Sequence, residues 1–215
     1  MAAVRERSMV LLPLLLLVLG NIALMAWYYG MVDFPWLQDQ MISAMGNVPA
    51  EQAEAARGFM QRGTMMTGAV IGIGVVVPLM LVLSAVYYLL VAKVMGSELG
   101  FGKWFAFNTW AAVPGLLLIP VGVVQILTHS HGQLAPEALN PLTLNTLLFQ
   151  LPSGSAWAGM LNSINLTMIW SIVVAVIGFR VWMNKSTVTS AIVVLAPYVV
   201  IYGIWAAVIA MRAAA

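Results

Sequence analysis

Two histidines and two glutamates are the residues of this 215-residue sequence whose types and spacing best fit metal chemistry. His129 and His131 flank a single serine, and Glu51 and Glu54 lie three residues apart, which places them on one face of a helix. Imidazole nitrogens and carboxylate oxygens are ligands of divalent transition metals. The four residues therefore predict an external divalent-metal site. The alternative is that the histidines are ordinary loop residues and the acids stabilise a helix start.

Amide side chains inside long apolar stretches form a second group of candidates. An amide in hydrocarbon is costly unless it is hydrogen-bonded, so such residues predict either a polar pathway or ligand site within a helix bundle, or hydrogen bonds between helices. The candidates are Asn108, Gln125, Asn162 and Asn165. Because Asn162 and Asn165 are three residues apart, we expect them to share one face of a continuous helix.

The sequence argues against an enzyme. It has no cysteine, which excludes thiol nucleophiles, thiolate metal sites and disulfides. No acidic or basic residue lies deep inside an apolar stretch, which argues against a proton-coupled pump. We expect no catalytic residues and no cofactor beyond the predicted metal ion. The net charge of +2 is too small to indicate a nucleic-acid partner.

The elements that position these residues must be membrane helices. Hydrophobic residues make up 62% of the sequence and charged residues 7%, whereas a soluble surface needs roughly 25 to 35% charged residues. About 20 apolar residues cross a bilayer as a helix. Five stretches are long enough, and they predict an all-α bundle of five transmembrane helices, surrounded by lipid, in a single membrane domain over residues 1–215. The stretches are approximately 9–31, 64–92, 103–127, 159–182 and 187–211.

The connections between the spans differ in length. Residues 95–102 and 183–186 are short, which predicts that spans two and three, and spans four and five, form antiparallel hairpins. The segment from about 128 to 158 is longer. Within it, Asn140 and Pro141 precede a leucine-rich stretch that ends at Pro152, which predicts a helix of about ten residues on the outer membrane surface.

The second span carries two further predictions. Proline suits the first position of a helix, so we expect a helix that begins near Pro49 and continues into the span, with a bend near Gly58, Gly63 or Pro78. Gly68 and Gly72 form a small-xxx-small pair, which is typical of close contacts between membrane helices.

The distribution of basic residues predicts the orientation. An odd number of spans places the termini on opposite sides, and cytoplasmic segments carry an excess of lysine and arginine. Six basic residues lie on the side of the N-terminus and three on the other side. We therefore expect a cytoplasmic N-terminus, an external C-terminus and a location in the cell's inner membrane. The six are Arg5, Arg7, Lys93, Lys103, Arg180 and Lys185, and the three are Arg57, Arg62 and Arg212.

Three segments carry a family resemblance. Residues 97–106 read SELGFGKWFA, residues 110–114 read WAAVP, and residues 164–170 read INLTMIW, followed by Gly178. With the five-span layout, they resemble the bacterial branch of the Yip1 domain family over essentially the whole chain. In eukaryotic relatives a long cytoplasmic N-terminal region takes part in binding prenylated small GTPases. Only eight residues precede the first span here, so we expect no GTPase partner.

We expect a non-enzymatic, Yip1-like membrane scaffold that organises the membrane or binds partners, either a second copy or another membrane protein. The glycine-containing helices, the predicted surface helix and the missing catalytic constellation support this expectation. The alternative, suggested by the amides in spans three and four and by the external acids, is a transporter or channel for an ion or small solute. The external divalent-metal site would belong to that alternative.

Overall fold

The computed structural model describes Val4 and residues 9–214, without the side chains of Ser130 and Ala214. These residues form helices and connecting turns, with no strand among them. The α-helices are α1 (Leu11–Met31), α2 (Phe34–Ala44), α3 (Ala50–Phe59), α4 (Arg62–Val94), α5 (Phe101–Ala111), α6 (Leu118–Thr128), α7 (Ala158–Ser163), α8 (Leu166–Met183) and α9 (Thr187–Ala214). Shorter helical segments are the 3-10 turns Val113–Leu117, Ser130–Gly132 and Pro136–Leu139 and the π-helical turn Asn145–Phe149.

Five helical segments are long and apolar enough to cross a membrane, which confirms the predicted five-helix bundle. They are Leu11–Met31, Arg62–Val94, Phe101–Thr128, Leu166–Met183 and Thr187–Ala213. The third segment combines α5, the 3-10 turn and α6. That turn surrounds Pro114, which has no N–H to donate to the carbonyl four residues earlier, so the α-helical ladder is interrupted there.

Two of the predicted helices are interrupted where we expected them to be continuous. The helix beginning near Pro49 does not run into the second span, because Met60 and Gln61 leave the helical conformation and separate α3 from α4. The fourth span is also broken, since Ile164 and Asn165 are extended between α7 and α8. The predicted ten-residue surface helix was wrong in length, because only the five-residue turn Asn145–Phe149 forms in that segment.

The two short connections lie at the same end of the bundle, which we call the turn end, and they confirm the predicted hairpins. After α4, Gly96 adopts a positive φ of 86° and Ser97 N–H donates to the Ala92 carbonyl at 2.8 Å, the bond that closes a Schellman motif. After α8, Asn184 takes the same left-handed position and Lys185 N–H donates to Arg180 O. These bonds end α4 and α8 abruptly, so the chain can reverse direction in a short connection.

An aromatic cluster fills the core at the turn end. Its rings are Tyr88, Trp104, Phe107, Phe179 and Trp182, contributed by α4, α5 and α8, and neighbouring ring centroids lie 5.1 to 6.0 Å apart. All five side chains are buried. Offset and edge-to-face ring pairs of this kind stabilise a packed core beyond their buried area, so the cluster fixes these three spans against one another.

A second core lies at the opposite end of the bundle, which we call the loop end. It connects the longer segments to α1. The Tyr28 hydroxyl donates to Leu134 O at 2.8 Å, across 106 residues of sequence. Arg62, at the start of α4, donates to the carbonyls of Tyr29, Gly30 and Val32 at the end of α1. A positive charge at a helix C-terminus satisfies free carbonyls and complements the helix dipole, so Arg62 holds α1 and α4 antiparallel.

The close helix contacts use other glycines than the predicted pair. Gly68 and Gly72 have no heavy atom of a neighbouring element within 4 Å of the place a Cβ would take, so the prediction of a close contact there within the chain was wrong. At Gly122 of α6 an added Cβ would lie 2.7 Å from Leu24 of α1, and at Gly20 it would lie 2.5 Å from Ile119. The close contact is therefore between α1 and α6.

Candidate functional site

The loop end holds a polar cavity that brings two of the predicted residues together. Gln125 of α6 and Asn162 of α7 both line it, with Glu137, Gln150 and Ser153 from the long segment between them. Its volume is about 410 Å³, within the roughly 300 to 1,000 Å³ of small-molecule sites. We call this cavity the loop-end pocket. It concentrates amides and hydroxyls in a protein that is otherwise mostly apolar.

The wall of the loop-end pocket is built around Asn145. Its side-chain amide donates to Leu151 O at 3.1 Å and its carbonyl oxygen accepts from Leu151 N–H at 2.9 Å. The backbone carbonyl of Asn145 also accepts from Gln150 N–H, and Gln150 adopts a positive φ of 53° to close the turn. These bonds replace the predicted longer helix, because one buried asparagine satisfies the turn locally.

The break in the fourth span is satisfied by the same segment. Thr143 and Asn165 form an isolated antiparallel bridge, in which Leu144 N–H donates to Ile164 O at 2.8 Å and Leu166 N–H donates to Leu142 O at 3.0 Å. Backbone groups near lipid must find partners within the protein, so this bridge allows the span to be interrupted. The interruption turns Asn162 away from the register of α8.

The charge of the loop-end pocket is simple. Among the described residues that line it, Glu137 is the only ionisable one, and its carboxyl group accepts a hydrogen bond from the Ser153 hydroxyl at 2.5 Å. The Asn162 carbonyl oxygen accepts from the Thr143 hydroxyl at 3.3 Å. Amides, hydroxyls and one carboxyl group without a basic neighbour favour a neutral polar ligand or a cation over an anion.

The other two predicted pathway residues lie elsewhere. Asn108 of α5 donates from its amide to the Leu81 carbonyl of α4 at 3.2 Å, which is a helix-to-helix hydrogen bond. Asn165 is the N-cap of α8, where its side chain accepts from Met168 N–H at 3.0 Å and from the Thr167 hydroxyl at 2.6 Å. The expectation that Asn162 and Asn165 share one face of a continuous helix was wrong, because Asn165 is extended.

The predicted metal ligands are distributed over separate elements of the loop end. Glu54 lies beside Arg57 at 3.8 Å, and Arg57 also pairs with Asp39 at 2.7 Å. His129 and His131 line a different cavity, of about 410 Å³, together with Tyr28 and Val32. The His129 Nδ1 lies 2.8 Å from Gln125 O.

Glu51 is exposed in the first turn of α3. Within Val4 and residues 9–214 no group of three or more histidine, aspartate or glutamate side chains is arranged to hold a metal ion. The described geometry therefore adds no support to the four-residue metal site, which stays a prediction.

Sequence reasoning missed Asn145, Gln150 and Ser153 as residues of the loop-end pocket. Asn145 and Gln150 lie in the stretch that we expected to form a surface helix, and Ser153 follows the proline at which that helix was expected to end, so their side chains carried no sign of a cavity. The signal that could have identified them is the density of amides and hydroxyls between Pro141 and Pro152, since a lipid-facing helix would favour apolar residues at those positions.

The comparisons with known proteins give one positive result. The family model described as the Yip1 domain matches residues 1–208 of the chain. No curated protein and no solved structure shows significant similarity to it.

Proposed function

The chain belongs to the Yip1 domain family, and on that premise we propose that it is a non-enzymatic membrane scaffold that binds a second copy or another membrane protein. That it is an integral, multi-pass membrane protein follows from the family and from the five apolar helices. The observation that best supports the scaffold role is how the polar side chains of the spans are used. Asn21 donates to Leu17 O within α1, and Asn108 donates to Leu81 O across α4 and α5.

The same use of polar groups extends to other spans. Asn165 caps α8, and the Tyr87 hydroxyl of α4 donates to Val193 O of α9 at 2.7 Å. Hydrogen bonds of this kind, which join or cap helices, are typical of structural contacts in membrane bundles. The aromatic cluster also packs the core at the turn end with five buried rings. These features support a bundle built to present its outer surface.

The proposal includes an orientation, with the turn end in the cytoplasm of a cell with an inner membrane. Lys93, Lys103, Arg180 and Lys185 lie at the turn end, while Arg5 and Arg7, which also entered the prediction, lie outside the described residues. Because the chain has no cysteine, single cysteines report sidedness cleanly. We expect Ser97→Cys to be labelled by an impermeant maleimide only after the membrane is opened, and Ser153→Cys to be labelled in intact cells. The reverse pattern would overturn the orientation.

The scaffold role is tested by the assembly state in native nanodiscs, combined with flux in reconstituted vesicles. We expect a complex of defined stoichiometry that persists as expression is lowered, and no solute flux above that of empty vesicles. Gly72→Leu adds a side chain where no neighbouring heavy atom lies within 4 Å of an added Cβ. This variant should remain folded, so it tests whether the outer face of α4 takes part in assembly. A chain that remains single at every expression level, together with saturable flux, would contradict the proposal.

A second candidate function is transport of an ion or small solute, and it is favoured by the loop-end pocket and by the broken fourth span beside it. Discontinuous helices commonly form solute sites in transporters. This candidate predicts that flux falls in Asn165→Leu or Asn108→Leu variants that remain folded. Its metal-binding version predicts that His129→Ala with His131→Ala weakens divalent-metal binding in a titration, and unchanged affinity removes both histidines from the site.

A further inference from the structure

A crevice in the membrane-spanning part of the bundle carries polar groups that the described chain leaves without partners. We call it the α4–α9 crevice. It is lined by one side of α4 between residues 76 and 88, by Asn108 of α5, by Ala112 at the C-cap of α5, and by residues 197, 198 and 201 of α9. Its volume is about 530 Å³, well within the roughly 300 to 1,000 Å³ of small-molecule sites. Because α4 and α9 both span, its open side faces lipid.

Tyr88 is the most informative residue of this crevice. Its side chain is 4% exposed, and its ring is held between Trp104, Phe107 and Phe179 of the aromatic cluster. Its hydroxyl makes no hydrogen bond to any described residue. The described chain has one side-chain nitrogen or oxygen that is both fully enclosed and without a partner, and it is Trp104 Nε1. The Tyr88 oxygen has no partner either, so it is not fully enclosed. The Tyr88 oxygen is therefore open to the crevice that Tyr88 lines.

Other polar groups line the same cavity. Tyr198 of α9 and Ser84 of α4 also have hydroxyls without a hydrogen-bond partner in the described part of the chain. Asn108 uses its amide group on Leu81 O, which leaves its own carbonyl oxygen without a partner in the same part of the chain. An unsatisfied hydroxyl or amide in hydrocarbon costs free energy, because no bulk water reaches it there. The clustering of these groups at one cavity indicates that something else satisfies them.

The lining of the crevice restricts what that occupant can be. The described residues that line it include no aspartate, glutamate, lysine, arginine or histidine. A charged head group in that position would remain without a counter-charge in a low-dielectric medium. Val76, Met80 and Ile201 form an apolar wall beside the polar groups. Hydroxyls can both donate and accept hydrogen bonds. The crevice therefore matches a molecule with an uncharged oxygen-containing head and an apolar chain.

We propose that the α4–α9 crevice binds an uncharged lipid, whose hydroxyl or ester oxygens hydrogen-bond to Tyr88 and Tyr198 and whose acyl chain lies along Met80 and Ile201. Hydrogen bonds to the two tyrosines position the head, and the apolar wall accommodates the chain. This binding is independent of the scaffold role, since it depends on residues within one chain and requires no partner protein.

The test uses the full chain in nanodiscs and a diacylglycerol that carries a photoactivatable diazirine in one acyl chain. The matched probe is phosphatidic acid with the same acyl chain, which adds only the charged phosphate. We expect diacylglycerol adducts concentrated on residues 76–88 and 197–201, competed by excess unlabelled diacylglycerol, and at least several-fold fewer adducts there with phosphatidic acid. Equal labelling by both probes, or adducts spread evenly over lipid-facing positions such as Ile71 and Val199, would overturn the proposal.

Two pairs of variants sharpen the test. Tyr88→Phe with Tyr198→Phe removes both hydroxyls and keeps both rings, and we expect saturable labelling to fall about 5- to 10-fold, as the loss of two membrane hydrogen bonds implies. Ile201→Trp fills the crevice and should abolish labelling, whereas Ile204→Trp, at an exposed position on α9 outside the crevice, should leave it unchanged. If the double phenylalanine variant keeps its unfolding temperature and its labelling, the hydroxyls hold no lipid and the proposal fails.

Discussion

The contact between α1 and α6 and the α4–α9 crevice are two opposite solutions to placing spanning helices side by side. We call the first the α1 seam, formed by Gly20, Leu24, Ile119 and Gly122 and continued by Gly132 at the loop end. In the seam the added Cβ of an alanine at Gly122 would lie 2.7 Å from a methyl carbon of Leu24, so the leucine side chain would have to shift. In the crevice, by contrast, tyrosine side chains stand between the helices beside an open volume of about 530 Å³.

The difference shows what each helix pair depends on. Lipid tails are as apolar as leucine, so helices in a bilayer associate through close packing and hydrogen bonds rather than through burial from water. The α1 seam uses close packing, and glycine makes it possible. At the crevice, the described residues of α4 and α9 are joined by a hydrogen bond from the Tyr87 hydroxyl to Val193 O. Substitutions should therefore be costly in the seam when they add volume, and in the crevice when they remove a donor.

The largest loss of stability should come from substitution of Gly132, which packs against the end of α1 at the loop end. Its φ is +68°, Asp33 N–H donates to its carbonyl at 2.9 Å, and an added Cβ would lie 2.5 Å from Met31 O. Gly132→Ala should lower the free energy of unfolding by about 3 kcal/mol or more, combining the left-handed backbone cost with a clash against rigid backbone. Equilibrium unfolding in mixed micelles measures it.

Gly46→Ala is the matched control for that substitution. Gly46 has a φ of +85° and nothing within 4 Å of an added Cβ, so its alanine variant should show only the backbone cost, about 1 kcal/mol. Equal losses at the two positions would mean that Met31 moves aside freely. The close contact of Gly132 with the end of α1 would then contribute nothing specific to the seam.

The second prediction compares the seam with the lipid-facing side of α4. Gly122→Leu inserts a large side chain against Leu24 and should cost roughly 1 to 3 kcal/mol or prevent folding. Gly72→Leu places the same side chain where no neighbouring atom lies within 4 Å, and should change stability by less than about 0.5 kcal/mol. Thermal unfolding in nanodiscs reports both. A comparable loss for Gly72→Leu would show that a partner already occupies that face.

The third prediction concerns the hydrogen bond that crosses the crevice. Pro197 has no N–H for the Val193 carbonyl four residues earlier, and the Tyr87 hydroxyl donates to that carbonyl at 2.7 Å. Tyr87→Phe should therefore lower stability by about 0.6 to 1.7 kcal/mol. In a Pro197→Ala background the loss should shrink, because the new backbone N–H serves Val193 O. In lipid-free detergent, Tyr198→Phe, whose hydroxyl has no partner in the described chain, should leave the unfolding temperature unchanged. Equal losses from Tyr87→Phe in both backgrounds would mean that the Tyr87 hydroxyl does not stabilise the chain by satisfying the Val193 carbonyl.

The sequence predicted the spans of both regions but not which faces meet. Apolar length alone identified all five helices, because only long apolar helices satisfy the backbone in a bilayer. The glycine pair at 68 and 72 has the spacing of a contact, yet it faces open space, whereas Gly20 and Gly122 on separate helices make the contact. A lipid-exposed helix is apolar on every side, so its periodicity carries no sign of the buried face.

The candidate site was predictable to a smaller extent. Gln125 and Asn162 were identified because amides are rare in spans, and the structure brings them into one pocket. Asn165 was misplaced because the fourth span was assumed to be continuous. An asparagine three residues before the N–H it caps is a recognisable helix start, but the apolar residues on both sides obscured it. The α4–α9 crevice depends on contacts among three helices, which no local pattern in the sequence encodes.

The smallest expected effect is a difference in stability loss between two asparagine substitutions, one at Asn108 beside the crevice and one at Asn21 of α1. Asn108→Ala removes a bond between α5 and α4 beside the crevice and should cost about 0.6 kcal/mol, the average for interhelical hydrogen bonds in membranes. Asn21→Ala removes only a bond to Leu17 O within α1, whose carbonyl is already part of the helix ladder, so stability should change by no more than a few tenths of a kcal/mol. Reversible unfolding in mixed micelles, with both variants measured side by side, resolves the difference. A larger loss at Asn21 would mean that the seam depends on a polar contact as well as on close packing, and the contrast between the two regions would be weaker than the geometry indicates.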